Sequence, residues 1–217
     1  MKYAAALFSI CLLFTACTSD APPATETEDS EKPPPVEDAQ SEYTIKPSEG
    51  FGTLGGETVR TDLEEAIGKE NVSEGEFYIG EGEFAPGLVL YSDTPEEVEV
   101  LLDDDGYVIL YRVSQKNSKW ATPKGIKVGS TLQELAAANG KPFKFTGFDW
   151  DYGGTVTNWN GGQYDGSEFL DVLGYNYEGT PISEEDTQQL LGDQDIMSDL
   201  PAAQRYEIAV VEIMQRY

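Results

Sequence analysis

The chain has 217 residues, of which 40 are acidic, 14 basic and none histidine. A formal charge of −26 makes nucleic acid a poor partner, because phosphate binding draws on basic surface. The lack of histidine removes Ser-His-Asp and Cys-His catalysis and every His-dependent zinc or iron site.

The first 16 residues read as a signal peptide. Lys2 supplies a charge, Ala4 to Phe14 is an apolar run interrupted by Ser9, and Thr15-Ala16 are small. The run is shorter than the ~20 residues of a transmembrane helix. Ala16-Cys17 fits a lipobox, so cleavage before Cys17 and lipidation of that cysteine are expected. An ordinary secretory signal with Cys17 as a bystander is the plainer alternative. Two or more acyl chains would hold the protein stably on a membrane. Thr18 stands where Asp would argue for retention at the inner membrane of a diderm bacterium. The expected place is therefore the outer membrane, facing the periplasm or the cell surface.

Residues 17–47 are rich in Pro, Glu, Asp, Ser and Thr and poor in large apolar side chains. Such a stretch cannot bury enough surface to offset ordering entropy, so a disordered acidic tether is expected. Pro33-Pro34-Pro35 should be stiff polyproline II. Cys11 leaves with the signal and Cys17 is lipidated, so the folded part relies on its core and not on disulfides. The processed chain keeps 13 basic against 40 acidic residues. That excess favours a basic partner or a cation, with plain solubility as the blander account.

Residues 48–217 are long enough for one domain or two fused repeats. Thr61-Asp62-Leu63-Glu64 reads as a capping box, with Leu63, Ala66 and Ile67 as the buried stripe and Gly68 as the stop. Strands are expected at Phe77–Ile79, Phe84–Tyr91, Glu97–Leu102 and Tyr107–Val113, the last two flanking an Asp103-Asp104-Asp105-Gly106 turn. A second capped helix starts at Ser130 or Thr131, carries Leu132, Leu135 and Ala136 on one face, and ends at Asn139-Gly140 before Pro142. Phe143 and Phe145, then Thr155 to Trp159, are strand formers. Phe169 to Tyr177 is expected as a strand and Ser183 to Leu191 as a short helix stopped by Gly192. Tyr206 to Tyr217 is apolar on both faces, which suggests a central strand or a bulge.

The order helix, strands, helix, strands thus occurs twice, at a spacing of about 70 residues. The expected fold is α+β and β-rich. It consists of two imperfect repeats of a short helix on an antiparallel sheet, at about 50–118 and 119–217, within a single globular domain.

The stretch GIKVGSTLQELAAANGKPF followed by FTGFDWDYGGTVTNWNGG resembles a family of uncharacterised bacterial lipoproteins. More distantly, the unit I-x-V-G-x-[ST]-L-x-E-L…G-K-P is similar to the helix-then-sheet repeat of small outer-membrane assembly lipoproteins and of beta-lactamase inhibitor proteins. Those are binding folds, so the resemblance implies binding and no catalysis. It carries no functional residues onto this chain.

Motifs of chemistry are sparse. Gly52-Thr53-Leu54-Gly55-Gly56 lacks the strand-before, helix-after setting of a nucleotide loop and reads as a flexible loop opening the domain. Among so many acids, a glycosidase-like pair ~5–10 Å apart would arise by chance. Asp103-Asp104-Asp105 and Asp149-x-Asp151 lack calcium-site spacing and read as Asp-rich turns. No catalytic residue, cofactor or metal is expected.

The densest aromatic group runs from Phe143 to Tyr164. Most of it reads as sheet core. Its loop members alternate aromatic and acid: Asp149, Trp150, Asp151 and Tyr152. Together with Trp159 these are the expected binding residues, since rings on loops are favoured anchors, with core or loop packing as the blander account. The glycines at 147, 153 and 154 suggest a projecting loop. The expected function is a lipid-anchored, non-enzymatic, protein-binding module of the cell envelope, meeting a basic envelope protein. The alternative is a carbohydrate-binding or carbohydrate-cleaving lipoprotein meeting a glycan.

Overall fold

The computed structural model describes residues 42–166, 169–175 and 180–217. Cys17, the signal segment and the tether up to residue 41 lie outside them. The first described residues already belong to the domain. β1 (Ile45–Lys46) pairs with β2 (Gly50–Phe51), and Ile45 and Phe51 are fully buried. Residues 42–47, grouped with the tether by composition, are therefore domain. Ile45 supplies the apolar anchor, and its N–H donates to Ala121 O at 2.8 Å. The Gly-rich loop is also packed, not flexible. Phe51 and Leu54 exchange two backbone hydrogen bonds of 2.9 Å, and a Cβ on Gly56 would come within 2.0 Å of the Tyr217 ring.

α1 (Arg60–Ile67) starts earlier than the expected box at Thr61–Glu64. Val59 is its N-cap and has no side-chain acceptor, so only half a box forms: Asp62 accepts the Val59 N–H at 3.2 Å. A bridge from Val59 to Tyr107 fixes the extended backbone that the helix grows from. Leu63 is fully buried and Ile67 packs against the core, while Ala66 is exposed.

A meander follows: β3 (Val72–Gly80), β4 (Glu83–Leu90), β5 (Val98–Leu102) and β6 (Val108–Val113). The turn before β6 is built on Asp103, whose Oδ1 accepts from Asp105 N at 3.0 Å and Tyr107 N at 2.8 Å. α2 (Leu132–Asn139) is capped by Thr131, whose Oγ1 accepts from Glu134 N while Glu134 accepts the Thr131 N–H at 2.8 Å. Gly140 closes it in the left-handed conformation at φ 76°. Leu132 and Leu135 are fully buried.

The remaining elements are β7 (Lys144–Thr146), β8 (Val156–Asn158), β9 (Phe169–Tyr175), α3 (Glu184–Leu190), β10 (Asp195–Met197) and β11 (Ile208–Arg216). Six strands form one antiparallel sheet in the order β3-β4-β5-β6-β11-β9, and three form a second in the order β10-β7-β8. β11 carries the expected bulge, between Val210 and Glu212. The fold is α+β and β-rich. A helix followed by strands occurs three times along the chain: α1 before β3 to β6, α2 before β7 to β9, and α3 before β10 and β11. The strands of the second half, however, divide between the two sheets, because β9 and β11 complete the sheet begun by β3 to β6.

The main core lies between the sheets and the helices, and Phe143 and Phe145 are fully buried in it. The other face of the large sheet has a small cluster of its own: Phe77, Leu101 and Leu110. Phe77 covers two glycines there. A Cβ on Gly75 would lie 2.8 Å from its ring, and one on Gly87 2.7 Å. The Arg112 guanidinium sits 5.5 Å from the centre of the same ring.

Candidate aromatic binding site

The loop 147–154 joins β7 to β8 and is held from several sides. Gly147 N donates to Gln194 O at 2.9 Å, Gly153 N to Trp150 O at 2.9 Å and Gly154 N to Thr146 O at 3.0 Å. Phe148 is buried and exchanges bonds with the α3 end: its N–H donates to Leu190 O and its carbonyl accepts from Gly192 N, both at 2.8 Å.

The glycines do the opposite of what the sequence suggests. A Cβ at Gly147 would meet Gly192 O at 2.4 Å, and one at Gly154 would meet Leu173 O at 1.8 Å. These residues let the loop approach its neighbours closely, so it is clamped and does not project.

From this clamped frame Asp149, Asp151 and Tyr152 face outward, and Trp150 is half-buried. The Trp150 indole N–H donates to Gly147 O at 2.7 Å, so its polar group is satisfied inside the loop. Its ring meets Tyr152 edge-on at 5.5 Å. Trp159 is different. It is 5 % exposed and packs against Phe143 at 5.3 Å and Tyr164 at 5.0 Å. It belongs to the core and cannot contact a partner. It sits just past the end of β8, where the chain turns inward, and adjacency in sequence to a loop did not place it on the surface.

The structure adds residues to the site. The Tyr78 hydroxyl donates to Asp151 Oδ1 at 2.9 Å, which brings the β3–β4 hairpin tip against the loop. Gly80 lies beneath the Tyr152 ring, where a Cβ would be 3.2 Å from the hydroxyl. Tyr78 meets Phe84 edge-on at 5.7 Å. Phe84 is 64 % exposed, Tyr152 46 % and Tyr78 41 %, which makes this a contiguous apolar surface. The local signal was present in Phe77-Tyr78-Ile79-Gly80-Glu81-Gly82-Glu83-Phe84: aromatic residues on both arms of a Gly-x-Gly turn. Nothing local announced its contact with a loop 73 positions away.

Electrostatically the surface is one-sided. Glu76, Glu81, Glu83, Asp149 and Asp151 are all exposed around the rings. Arg112 reaches the Tyr78 carbonyl at 3.2 Å, but its charge is paired with Glu99. The Asp151 carboxylate holds the Tyr78 hydroxyl above its ordinary pKa, so the phenol stays neutral in any physiological medium. Among the described residues no three acidic side chains group to hold a cation. The arrangement offers apolar area, the Tyr78 hydroxyl and an acidic rim.

No family model and no curated protein matches the chain. Among solved structures it is similar to the uncharacterized protein yfeY from Escherichia coli, at 13% identity and a TM-score of 0.44, over 78% of this chain and 97% of that one.

Proposed function

We propose that this chain is a lipid-anchored, non-enzymatic binding module of the cell envelope, held at the outer membrane through Cys17. Its acid-rimmed aromatic surface would hold a protein partner. The observation that carries this reading is the exposed group Tyr78, Phe84 and Tyr152 on a clamped loop and hairpin. Apolar rings at the centre with charge at the rim are how protein-binding patches are built. The acids favour a partner with Lys or Arg around its contact face, steering encounter and making binding salt-sensitive. Trp150 and Tyr152 meet edge-on, so they do not form the coplanar platform on which a sugar ring stacks.

The experiment is mild crosslinking of the native lipoprotein in its own cells, followed by co-purification, with Tyr152→Ala and Phe84→Ala beside the wild type. A specific protein that both variants fail to retain is the expected result. Retention undiminished in both would overturn the site. A glycan array bound by the wild type and not by Tyr152→Ala would replace the protein reading with the carbohydrate one.

A further inference from the structure

β3 is the last strand of the large sheet, and among the described residues no other strand pairs with its outer edge. Which backbone groups face that edge follows from the register. Tyr91 N donates to Asn71 O at 2.8 Å, so Asn71 and Tyr91 are a hydrogen-bonded pair. Bonded and non-bonded pairs alternate in an antiparallel ladder. Ser73–Val89, Gly75–Gly87 and Phe77–Ala85 are therefore bonded pairs, and the N–H and C=O groups of Glu74 and Glu76 point away from β4, while the Tyr78 carbonyl accepts from Arg112 at 3.2 Å. The opposite end of the sheet is treated differently. There the β9 residue Leu173 donates its N–H to Gly154 O at 2.8 Å, so the clamped loop covers that edge.

The side chains along β3 divide by face. Glu74, Glu76 and Tyr78 are on one side, all exposed, and Ser73, Gly75 and Phe77 are on the other. Glu74 is bound to Arg60, whereas Glu76 has no ion pair among the described residues. On the second side, Phe77 packs in the cluster with Leu101 and Leu110. Two copies of β3 laid antiparallel would set these glutamates against each other, and like charges across strands are unfavourable. The same acids suit a basic strand.

We propose that the β3 edge is a strand-addition site for an extended protein segment in which basic residues alternate with apolar ones. Backbone bonds to Glu74 and Glu76 would supply the affinity. Basic side chains would lie beside the glutamates and apolar ones on the side of Phe77. The inference rests on the reading of the chain as a binding module, but not on its aromatic loop.

The test is hydrogen–deuterium exchange of the full chain with three synthetic octapeptides, and with a fourth for the charge-reversed variant. One alternates lysine and valine, one is the same peptide N-methylated on alternate residues, and one carries four lysines followed by four valines. The alternating peptide should slow exchange within residues 72–80 by about tenfold or more, and the other two should not. In Glu74→Lys/Glu76→Lys the alternating peptide should lose this effect, and one alternating glutamate and valine should gain it. Trp150→Ala should leave it unchanged. Equal protection by the N-methylated or block peptide would mean simple charge attraction and overturn the site. So would an absence of protection at β3, or protection that Trp150→Ala abolishes. If protection fails while co-purification through Tyr152 and Phe84 holds, the strand site falls and the binding-module reading stands.

Discussion

Tyr78 and Asp151 are joined by a hydrogen bond of 2.9 Å across 73 positions of sequence. Tyr78 is on β3, and three residues beyond Asp151 the carbonyl of Gly154 accepts from Leu173 on β9. β3 and β9 are the two end strands of the six-stranded sheet. One loop therefore touches both ends of the sheet, which accounts for an outward-facing aromatic surface on a firmly held segment.

This bond sets the first prediction. Tyr78→Phe keeps the ring against Phe84 and removes only the hydroxyl. The bond is exposed, so Tm should fall by about 2 °C or less. Exchange at residues 79–83 should rise more than anywhere else, because the hairpin tip loses its tie to the loop. The raised pKa of Tyr78 gives a direction with pH. The fold favours the neutral phenol, so the contribution is intact below the unfolded value of about 10 and is lost as pH rises through the folded one. Denaturation midpoints for wild type and Tyr78→Phe should accordingly converge above pH ~10. A tip whose exchange is unchanged would show that the bond does not hold the hairpin.

Phe77 supports the second prediction. Its ring is 5 % exposed because it lies over Gly75 and Gly87 and beneath Arg112. Phe77→Ala uncovers both glycines and removes the contact with Leu101 and Leu110. The expected loss is about 3 kcal/mol, the low end for a buried Phe, since the site is one layer from solvent. Urea denaturation measures it. A loss below ~1 kcal/mol would mean that the outer cluster is ornamental to stability.

The second helix was legible because its signals are local: Thr131 with Glu134 at one end and Gly140 at the other. The start of α1 was not. Val59 carries no capping side chain, and what fixes it is a bridge to Tyr107, far along the chain. The same distinction runs through the site. Asp149, Trp150, Asp151 and Tyr152 were identified from an alternation within four residues, but Tyr78 and Phe84 join them only through tertiary contact. Glycine was the most misleading residue, because free φ serves a projecting loop and a close backbone approach equally well. Only the neighbours, Gly192 and Leu173, decide between them. The division of the later strands between two sheets depends on which edge remains open, and no single strand encodes that.

Asp186 offers the third prediction. Its carboxylate is almost fully buried. It accepts from Arg205 through Nε at 3.1 Å and through Nη2, and from the Tyr206 hydroxyl at 2.7 Å. Arg205 first, and then Tyr206, hold its pKa below the usual carboxylate value. The stabilisation is therefore complete above the unfolded pKa of about 3.9 and is lost as pH falls through the lower folded value. Asp186→Asn should lower Tm at pH 7 by several degrees, and the gap from wild type should narrow below pH ~4. A gap constant from pH 7 to pH 2 would mean that the charge of Asp186 contributes nothing.

The two tryptophans of the aromatic stretch give the sharpest contrast. Trp159 is in the core against Phe143 and Tyr164, so Trp159→Ala should cost about 3–5 kcal/mol wherever binding is located. Trp150 is half-buried, and its indole N–H closes the loop onto Gly147 O. Trp150→Ala should therefore cost only roughly 1–2 kcal/mol, one hydrogen bond and part of a ring contact. Partner retention should follow the reverse order once each variant is assayed well below its own Tm. Trp150→Ala loses the ring that Tyr152 rests against and should weaken capture, while folded Trp159→Ala should still capture. Salt should matter as well: raising ionic strength should weaken capture by the wild type and by Trp159→Ala alike, because Asp149 and Asp151 remain at the rim in both. If Trp150→Ala unfolds as readily as Trp159→Ala yet captures its partner undiminished when folded, the loop is packing and the binding surface lies elsewhere.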